Sequence, residues 1–375
     1  MRELGVGIVG WGFMGRMHAH AVRSIPLYYA DLPFLPKLAG ICSRDGAKAA
    51  RAAAELGVPF STGDYRELIR REGVEVVSVC APNGLHEAIA IEALRAGKQL
   101  YIDKPLSTDA ASAARIVRCA EGMGAAAQVA FHNRFYPAIL RAKRFVAEGG
   151  LGRLTGFSCR YLHSGSVSPS RPFGWKHGPE GGVLLDLGSH ALDLIAWLIG
   201  RPESGLCELR TLYPSRPSTG GEARSDLMED HALILLRMPC GALGTVEASK
   251  IATGAGDELL LELRGDRGAC SWSLMRADYL NVFDESVPEG PLGGQRGFTR
   301  IECGGRYEPP GGAFLPSKNA IGWERAHVHS YYSFLDALVR GAAPEPSLRD
   351  GLYVQELTDR LRESSESGEW VRLLK

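Results

Sequence analysis

The chain has 375 residues, long for one hydrophobic core, so two domains are expected. Its 43 basic and 43 acidic residues cancel, which argues against nucleic acid or an anionic membrane as the main partner and leaves small neutral or mixed ligands. Met1 runs straight into "RELGVGIVG" with no basic and apolar leader, no apolar run reaches membrane-span length, and the eight cysteines form no CxxC pair, so a cytoplasmic protein with reduced, mostly buried thiols is expected.

The first third alternates short β-branched runs with alanine-rich helical ones. "VGIVG" precedes a helix over about Gly15 to Ile25 that is expected to stop at Pro26; then come "LAGICS", a helix over Ala47 to Leu56, "VEVVSVCA", a helix over Leu85 to Ala96, and "QLYID". Strands alternating with helices of this length predict a parallel, doubly wound sheet with helices on both faces. After "AAAQVAF" and a helix near Ala138 to Glu148 the pattern changes. "GRLTGFSCRYL", "DHALILLRM", "GALGTVEASKI", "DELLLELRG" and "RGACSWSL" read as strands mostly without helices between them, with "RGDRG" as a hairpin turn. An antiparallel sheet backed by a helix over 183–200 is expected, then two amphipathic helices near 327–340 and 350–366. The stretches "SGSVSPSRPFGWKHGPEGG", "YPSRPSTGGEARSD" and Glu285 to about Asn319 read as long loops, a form more often functional than idle.

Two GxGxxG matches overlap, Gly5 to Gly10 and Gly10 to Gly15. The first lies inside the strand. The second follows the strand and opens a helix, the context in which backbone amides can approach a pyrophosphate, so Gly10, Gly12, Phe13, Met14 and Gly15 are the candidate phosphate turn. At the tip of the second strand, where an acidic residue would accept from a ribose 2'-hydroxyl, stands Ser43 followed by Arg44. That pair suits a 2'-phosphate and favours NADP over NAD, with Asp45 close by as the contrary sign. Ligands of such sheets lie beyond the carboxyl ends of the strands, which makes candidates of Pro82, Asn83 and His86 in "APNGLH" and of Asp103 and Lys104 in "DKP". Asn83 reads equally as the cap of the following helix, and Lys104 equally as a surface lysine.

"VLLDLGSHALDLIAWLIG", Val183 to Gly200, carries Asp186, His190 and Asp193 at helical offsets i, i+4 and i+7, one polar stripe on an otherwise apolar helix. Such spacing also fits metal ligands, so a metal hydrolase is a rival reading, although it leaves the glycine turn unexplained. Trp175 and Lys176, in the loop before this helix, could close over a substrate or merely pin the loop.

Together "GIVGWGFMG", "PNGLH", "DKPLS" (where the family usually has Glu-Lys-Pro), "FHNRFYP", "GGVLLDLGSHALDLIAWLIG" and the tail "PSLRDGLYVQELTDRLRESSESGEWVRL" resemble the Gfo/Idh/MocA oxidoreductases, the group of glucose-fructose oxidoreductase and inositol dehydrogenase, over nearly the whole chain. The resemblance implies a Rossmann domain over 1–130 and, over 131–375, an α+β domain whose large, mostly antiparallel open sheet often builds dimers or tetramers. It also implies NAD(P)-dependent hydride transfer at a hydroxyl of a sugar or cyclitol. It maps the catalytic lysine onto Lys104, the paired aspartate and histidine onto Asp186 and His190, and a substrate-contacting position onto Asn133, and it suggests a cis bond before Pro105. Two further readings keep this fold: glycoside cleavage through transient oxidation, and a cofactor-sensing protein without catalysis.

Overall fold

The computed structural model describes residues 2–373. By internal packing the chain divides into two units, one holding the described residues up to 135 with 306–316 and 322–355, the other 136–305, 317–321 and the described residues from 356 onward.

The first unit is built on six parallel strands: β1 (Arg2–Val9), β2 (Phe34–Cys42), β3 (Ser61–Thr62), β4 (Val76–Val79), β5 (Gln99–Ile102) and β6 (Ala127–Val129). They lie in the order β3-β2-β1-β4-β5-β6, the doubly wound arrangement of dinucleotide-binding sheets. Every residue of β4 is buried, as expected of a strand covered on both faces. Between the strands run α1 (Phe13–Tyr28), α2 (Gly46–Leu56), α3 (Tyr65–Arg70), α4 (His86–Arg95) and α5 (Ala110–Met123). Local chemistry sets several ends. Asp45 and Asp109 cap the starts of α2 and α5 by accepting the Lys48 and Ser112 amide hydrogens, and Gly57 and Gly124 close the same helices in the left-handed region. Contrary to expectation α1 runs through Pro26, because only two helical residues follow it and the lost donor costs one bond of the final turn. The helix α8 (Glu324–Arg340) packs on α1, burying Val328, Tyr331, Phe334 and Leu335 with Val22, Ile25 and Tyr29.

The second unit carries α6 (Pro137–Ala147), β7 (Leu154–Leu162), α7 (Ser189–Ile199), β8 (Ser204–Arg210), a hairpin of β9 (Arg216–Ser218) and β10 (Gly221–Arg224), then β11 (His231–Arg237), β12 (Leu243–Ser249), β13 (Glu258–Gly265), β14 (Gly268–Ser273), β15 (Tyr279–Asp284) and β16 (Thr299–Glu302). The helix α9 (Leu348–Ser367) begins in the first unit and ends in the second, followed by β17 (Val371–Arg372). The main sheet has nine strands in the order β16-β15-β14-β13-β7-β12-β11-β8-β17, antiparallel except for the β7–β12 pair. The predicted "RGDRG" hairpin joins β13 and β14. Two stretches expected as loops contain strands: the β9–β10 hairpin in "YPSRPSTGGEARSD" and β16 inside 285–319.

Along β11 the residues Ala232, Ile234 and Leu236 are buried and Leu233 and Leu235 exposed, so one face of the sheet packs under α6 and α7 while the other is open. At the β8 edge β17 pairs with only two residues, and farther along Ser364 and Ser365 of α9 accept the Cys207 and Leu209 amide hydrogens through their hydroxyls. All eight cysteines are free thiols. Among the described residues no helix is long and apolar enough to cross a membrane.

Candidate active site

In the first unit the strand-turn-helix expected at Gly10 to Gly15 forms as read. Gly10 has φ +101°, open only to glycine at low cost, and a side chain there would strike the Cys80 carbonyl. A methyl group at Gly15 would drive into the Gly10 carbonyl oxygen, whereas one at Gly12 would meet nothing within 4 Å. Gly10 and Gly15 are thus needed by the turn itself, and Gly12 keeps an open face for something not protein. The first turn of α1 has no acidic residue and no side-chain cap, so its amides suit a phosphate. These features fit a dinucleotide. By contrast Gly5, in the overlapping match, packs inside β1 against the Gly73 carbonyl.

At the tip of β2 Ser43 is half-buried and Arg44 exposed. The contrary sign, Asp45, is engaged as the cap of α2, its Oδ1 3.0 Å from the Lys48 amide. Past β4, Pro82 is half-buried and Asn83 buried in a 3₁₀ turn over Asn83–Leu85; Asn83 does not cap α4, whose cap position is Leu85 without a side-chain bond. His86 differs from its expected cofactor-facing role. It is buried with Nδ1 3.0 Å from the Pro105 carbonyl and Nε2 2.9 Å from the Ala81 carbonyl, so its ring is wedged between the "APN" and "DKP" segments, able as a neutral imidazole to donate to one of the two. Burial pushes its pKa down, against the nearby Asp103 carboxylate and the backbone carbonyls. Asp103 turns inward as well, its Oδ1 accepting the Lys104 amide hydrogen at 2.9 Å. Lys104 itself is half-buried, and its bond to Pro105 is cis. Asn133 is buried just after β6.

In the second unit the helix over 183–200 is not α throughout. Leu184–Gly188 is a π-helix that passes into α7 at Ser189, so Asp186 sits on wider i→i+5 turns while His190 and Asp193 lie on α7. His190 and Asp193 are buried, and the His190 ring lies 5.6 Å from that of Tyr161. Tyr161 hydrogen-bonds to Asp257, which also meets His163 Nε2 at 2.7 Å. Asp186 is flanked by two ammonium groups, Lys176 Nζ at 2.8 Å and Lys250 Nζ at 3.5 Å. The predicted Lys176 is thus joined to Asp186. Lys250, nearly buried at the end of β12, is a site residue that sequence reasoning missed; "ASKI" carries no spacing that would single it out. Among the described residues no three metal-ligating side chains converge.

The strap that carries Trp175 and Lys176 is held from beneath. Trp175, Lys176 and His177 form a 3₁₀ turn with Trp175 exposed. His177 Nδ1 accepts the Gly174 amide hydrogen at 2.9 Å, which puts its proton on Nε2, 3.3 Å from Ser166 Oγ. Burial lowers the His177 pKa, and Arg216, Lys250 and Arg171 lower it further. Arg216, fully buried, donates to the Ser166 and Ser168 carbonyls at 2.7 and 2.9 Å and lies 3.8 Å from Asp230. Gly181 and Gly182 let the strap turn close against the Lys176 backbone and the Glu229 carboxylate, which accepts the Leu184 amide hydrogen at 3.1 Å and so supports the start of the π-helix.

Models of known families match both units. The Gfo/Idh/MocA oxidoreductase family model, an NAD-binding Rossmann fold, matches residues 4–131, and the Gfo/Idh/MocA C-terminal domain model matches 139–271. Levoglucosan dehydrogenase of Pseudarthrobacter phenanthrenivorans is 30% identical, the alignment covering 99% of this chain and 98% of that protein. An inositol 2-dehydrogenase of Rubrobacter xylanophilus is 27% identical over 98% of this chain and 92% of its own length. Among solved structures, levoglucosan dehydrogenase in complex with NADH superposes with a TM-score of 0.94 at 30% identity, covering both chains fully, and an oxidoreductase domain protein from Kribbella flavida does so with 0.94 at 31%.

Proposed function

The chain belongs to the Gfo/Idh/MocA oxidoreductases, NAD(P)-dependent enzymes of hydride transfer, and within that activity we propose that it acts on a hydroxyl of a neutral sugar ring, an anhydrosugar before an inositol. The observation that carries the choice is the full-length likeness to levoglucosan dehydrogenase. When bound, the nicotinamide dinucleotide supplies the hydride acceptor or donor. The rest falls to side chains. His190 takes the hydroxyl proton, the role for which an imidazole, able both to accept and to return a proton, is suited. Lys104 opposes the charge that develops on the substrate oxygen. Asp186, paired with the Lys176 and Lys250 ammonium groups, orients the substrate hydroxyl or His190. Gly10, Gly12, Phe13, Met14, Gly15, Pro82 and Asn83 would hold the dinucleotide, with His86 and Asp103 shaping the Lys104 segment; Asn133 and Trp175 are proposed to contact the sugar.

The Ser43 and Arg44 tip is proposed to take a 2'-phosphate, because Asp45 is committed to capping α2. Turnover with NADP above turnover with NAD would support it, and a strong preference for NAD would remove it. The open face of the nine-stranded sheet, with Leu233, Leu235 and Leu243 exposed, supports a homodimer or homotetramer formed through that face. Eight unpaired thiols suit a reducing compartment, the cytoplasm.

The test is a screen of anhydrosugars, hexoses and inositols that follows reduced-cofactor absorbance, with Lys104→Ala and His190→Ala beside the parent protein. Both variants should lose hydride transfer and keep dinucleotide binding; normal turnover in both would refute the roles. Substrate consumption without net cofactor reduction would favour glycoside cleavage by transient oxidation instead.

A further inference from the structure

The glycine turn carries a large side chain that projects from the fold: Phe13, 66% exposed, directly after Gly12. Its ring lies 5.6 Å from that of Trp323, half-buried at the start of α8. Trp323 in turn packs on His327, with ring centroids 4.3 Å apart, and meets the edge of His132 at 5.6 Å, while His132 and His327 stack at 3.6 Å. All four belong to the first unit. Phe13 follows the end of β1 and His132 the end of β6, and the sheet order places β4 and β5 between these strands. The row of rings therefore runs along the carboxyl edge of the sheet on the side of β1 away from β2. Since Ser43 and Arg44 at the β2 tip mark the adenosine end, the other nucleoside of a dinucleotide extends along the side where the rings lie.

We propose that Trp323 is an aromatic wall of the dinucleotide site and presents its indole to the nicotinamide nucleoside; this rests on the dinucleotide reading of the glycine turn given above. The rings of His327 and Phe13 hold the indole by packing, so little side-chain freedom is lost on binding. The oxidised nicotinamide ring bears a formal positive charge and the reduced ring does not. An indole face attracts cations more strongly than a phenyl or aliphatic side chain does, so Trp323 stabilises the oxidised cofactor over the reduced one.

The experiment is titration of the intact protein, of Trp323→Phe and of Trp323→Leu with NAD, NADP and their reduced forms, reading Kd and energy transfer from tryptophan to the reduced nicotinamide. Trp323→Leu should weaken the oxidised forms about tenfold and the reduced forms less than about threefold. Trp323→Phe, the variant least disturbing to packing, should fall between, and energy transfer should drop in both. Unchanged affinities with undiminished energy transfer, or equal loss for both redox forms, would overturn the assignment. If the parent protein binds none of the four dinucleotides, the reading of the glycine turn fails, and this inference with it.

Discussion

Replacing Lys250 by Met will harm the protein more than replacing Lys176, although the Lys176 ammonium is the closer of the two to Asp186. Lys176 Nζ stands at 2.8 Å with its side chain 51% exposed; Lys250 Nζ stands at 3.5 Å with its side chain 8% exposed, and that of Asp186 is 15% exposed. At an effective dielectric near 20, a pair 3.5 Å apart attracts by about 5 kcal/mol before desolvation is subtracted. A solvent-exposed partner contributes about 0–1 kcal/mol, whereas removing one partner of a buried pair costs about 3–5 kcal/mol, because the remaining charge loses its compensation. Lys250→Met should therefore cost roughly 3 kcal/mol and Lys176→Met under about 1 kcal/mol. In a unit of this size the first corresponds to a Tm lowered by about 6–12 °C. Thermal unfolding of both variants, alone and combined with Asp186→Asn, is the assay. The cost of Lys250→Met should shrink once Asp186 is neutral. Equal losses in the two lysine variants, or an undiminished loss beside Asp186→Asn, would refute the reasoning.

Gly12→Ala should fold with an unchanged Tm and lose dinucleotide affinity, since its methyl group enters the open face, while Gly15→Ala should lose both stability and binding against the Gly10 carbonyl; calorimetry with and without cofactor separates the two. Acidification should destabilise the first unit. Burial lowers the His18 pKa from 6.5 to about 4 and that of His329 to about 3, so between 6.5 and those values the unfolded chain binds more protons and stability falls as pH drops. Urea unfolding across that window should lose its slope in part in His18→Gln; an identical pH dependence would discount His18. Arg216→Met should loosen the strap over residues 164–177, raising its amide exchange at least about tenfold relative to β12, because Asp230 and the two serine carbonyls lose a buried donor. Unaltered exchange there would show that the strap is held by other contacts.

How far the sequence could be read depended on whether a residue's role is local. The doubly wound sheet follows from strand and helix runs of contrasting composition, and the glycine turn from three glycines spaced within six residues. The π-helix is invisible to such reading, since Asp186 and His190 are four apart whether the turn closes at i+4 or i+5. Arg216 sits in a stretch rich in Pro, Ser and Gly that resembles surface loop, and only the folded chain places it under the strap. Lys250 owes its importance to Asp186, sixty-four residues earlier, and Trp323 to Phe13, farther still. The position of His86 beyond β4 is legible in the sequence, but its reach to the Pro105 carbonyl depends on where β5 ends. The strands β9, β10 and β16 are short and pair only with near neighbours, which gives too few alternations to stand out from loop.

The two serines of α9 that occupy the outer side of β8 bear on how copies of this chain can aggregate. A sheet grows without limit only if both of its margins accept a new strand. Among the described residues one margin offers little strand, two residues of β17 and a stretch of β8 whose Cys207 and Leu209 amides are taken by serine hydroxyls, and the other margin is β16. Strand addition at this sheet is thus favoured at β16, joining two copies β16 to β16, over the short β17 margin. Assemblies larger than a pair then draw on the flat of the sheet, and the short β17 margin disfavours a fibre propagated strand by strand.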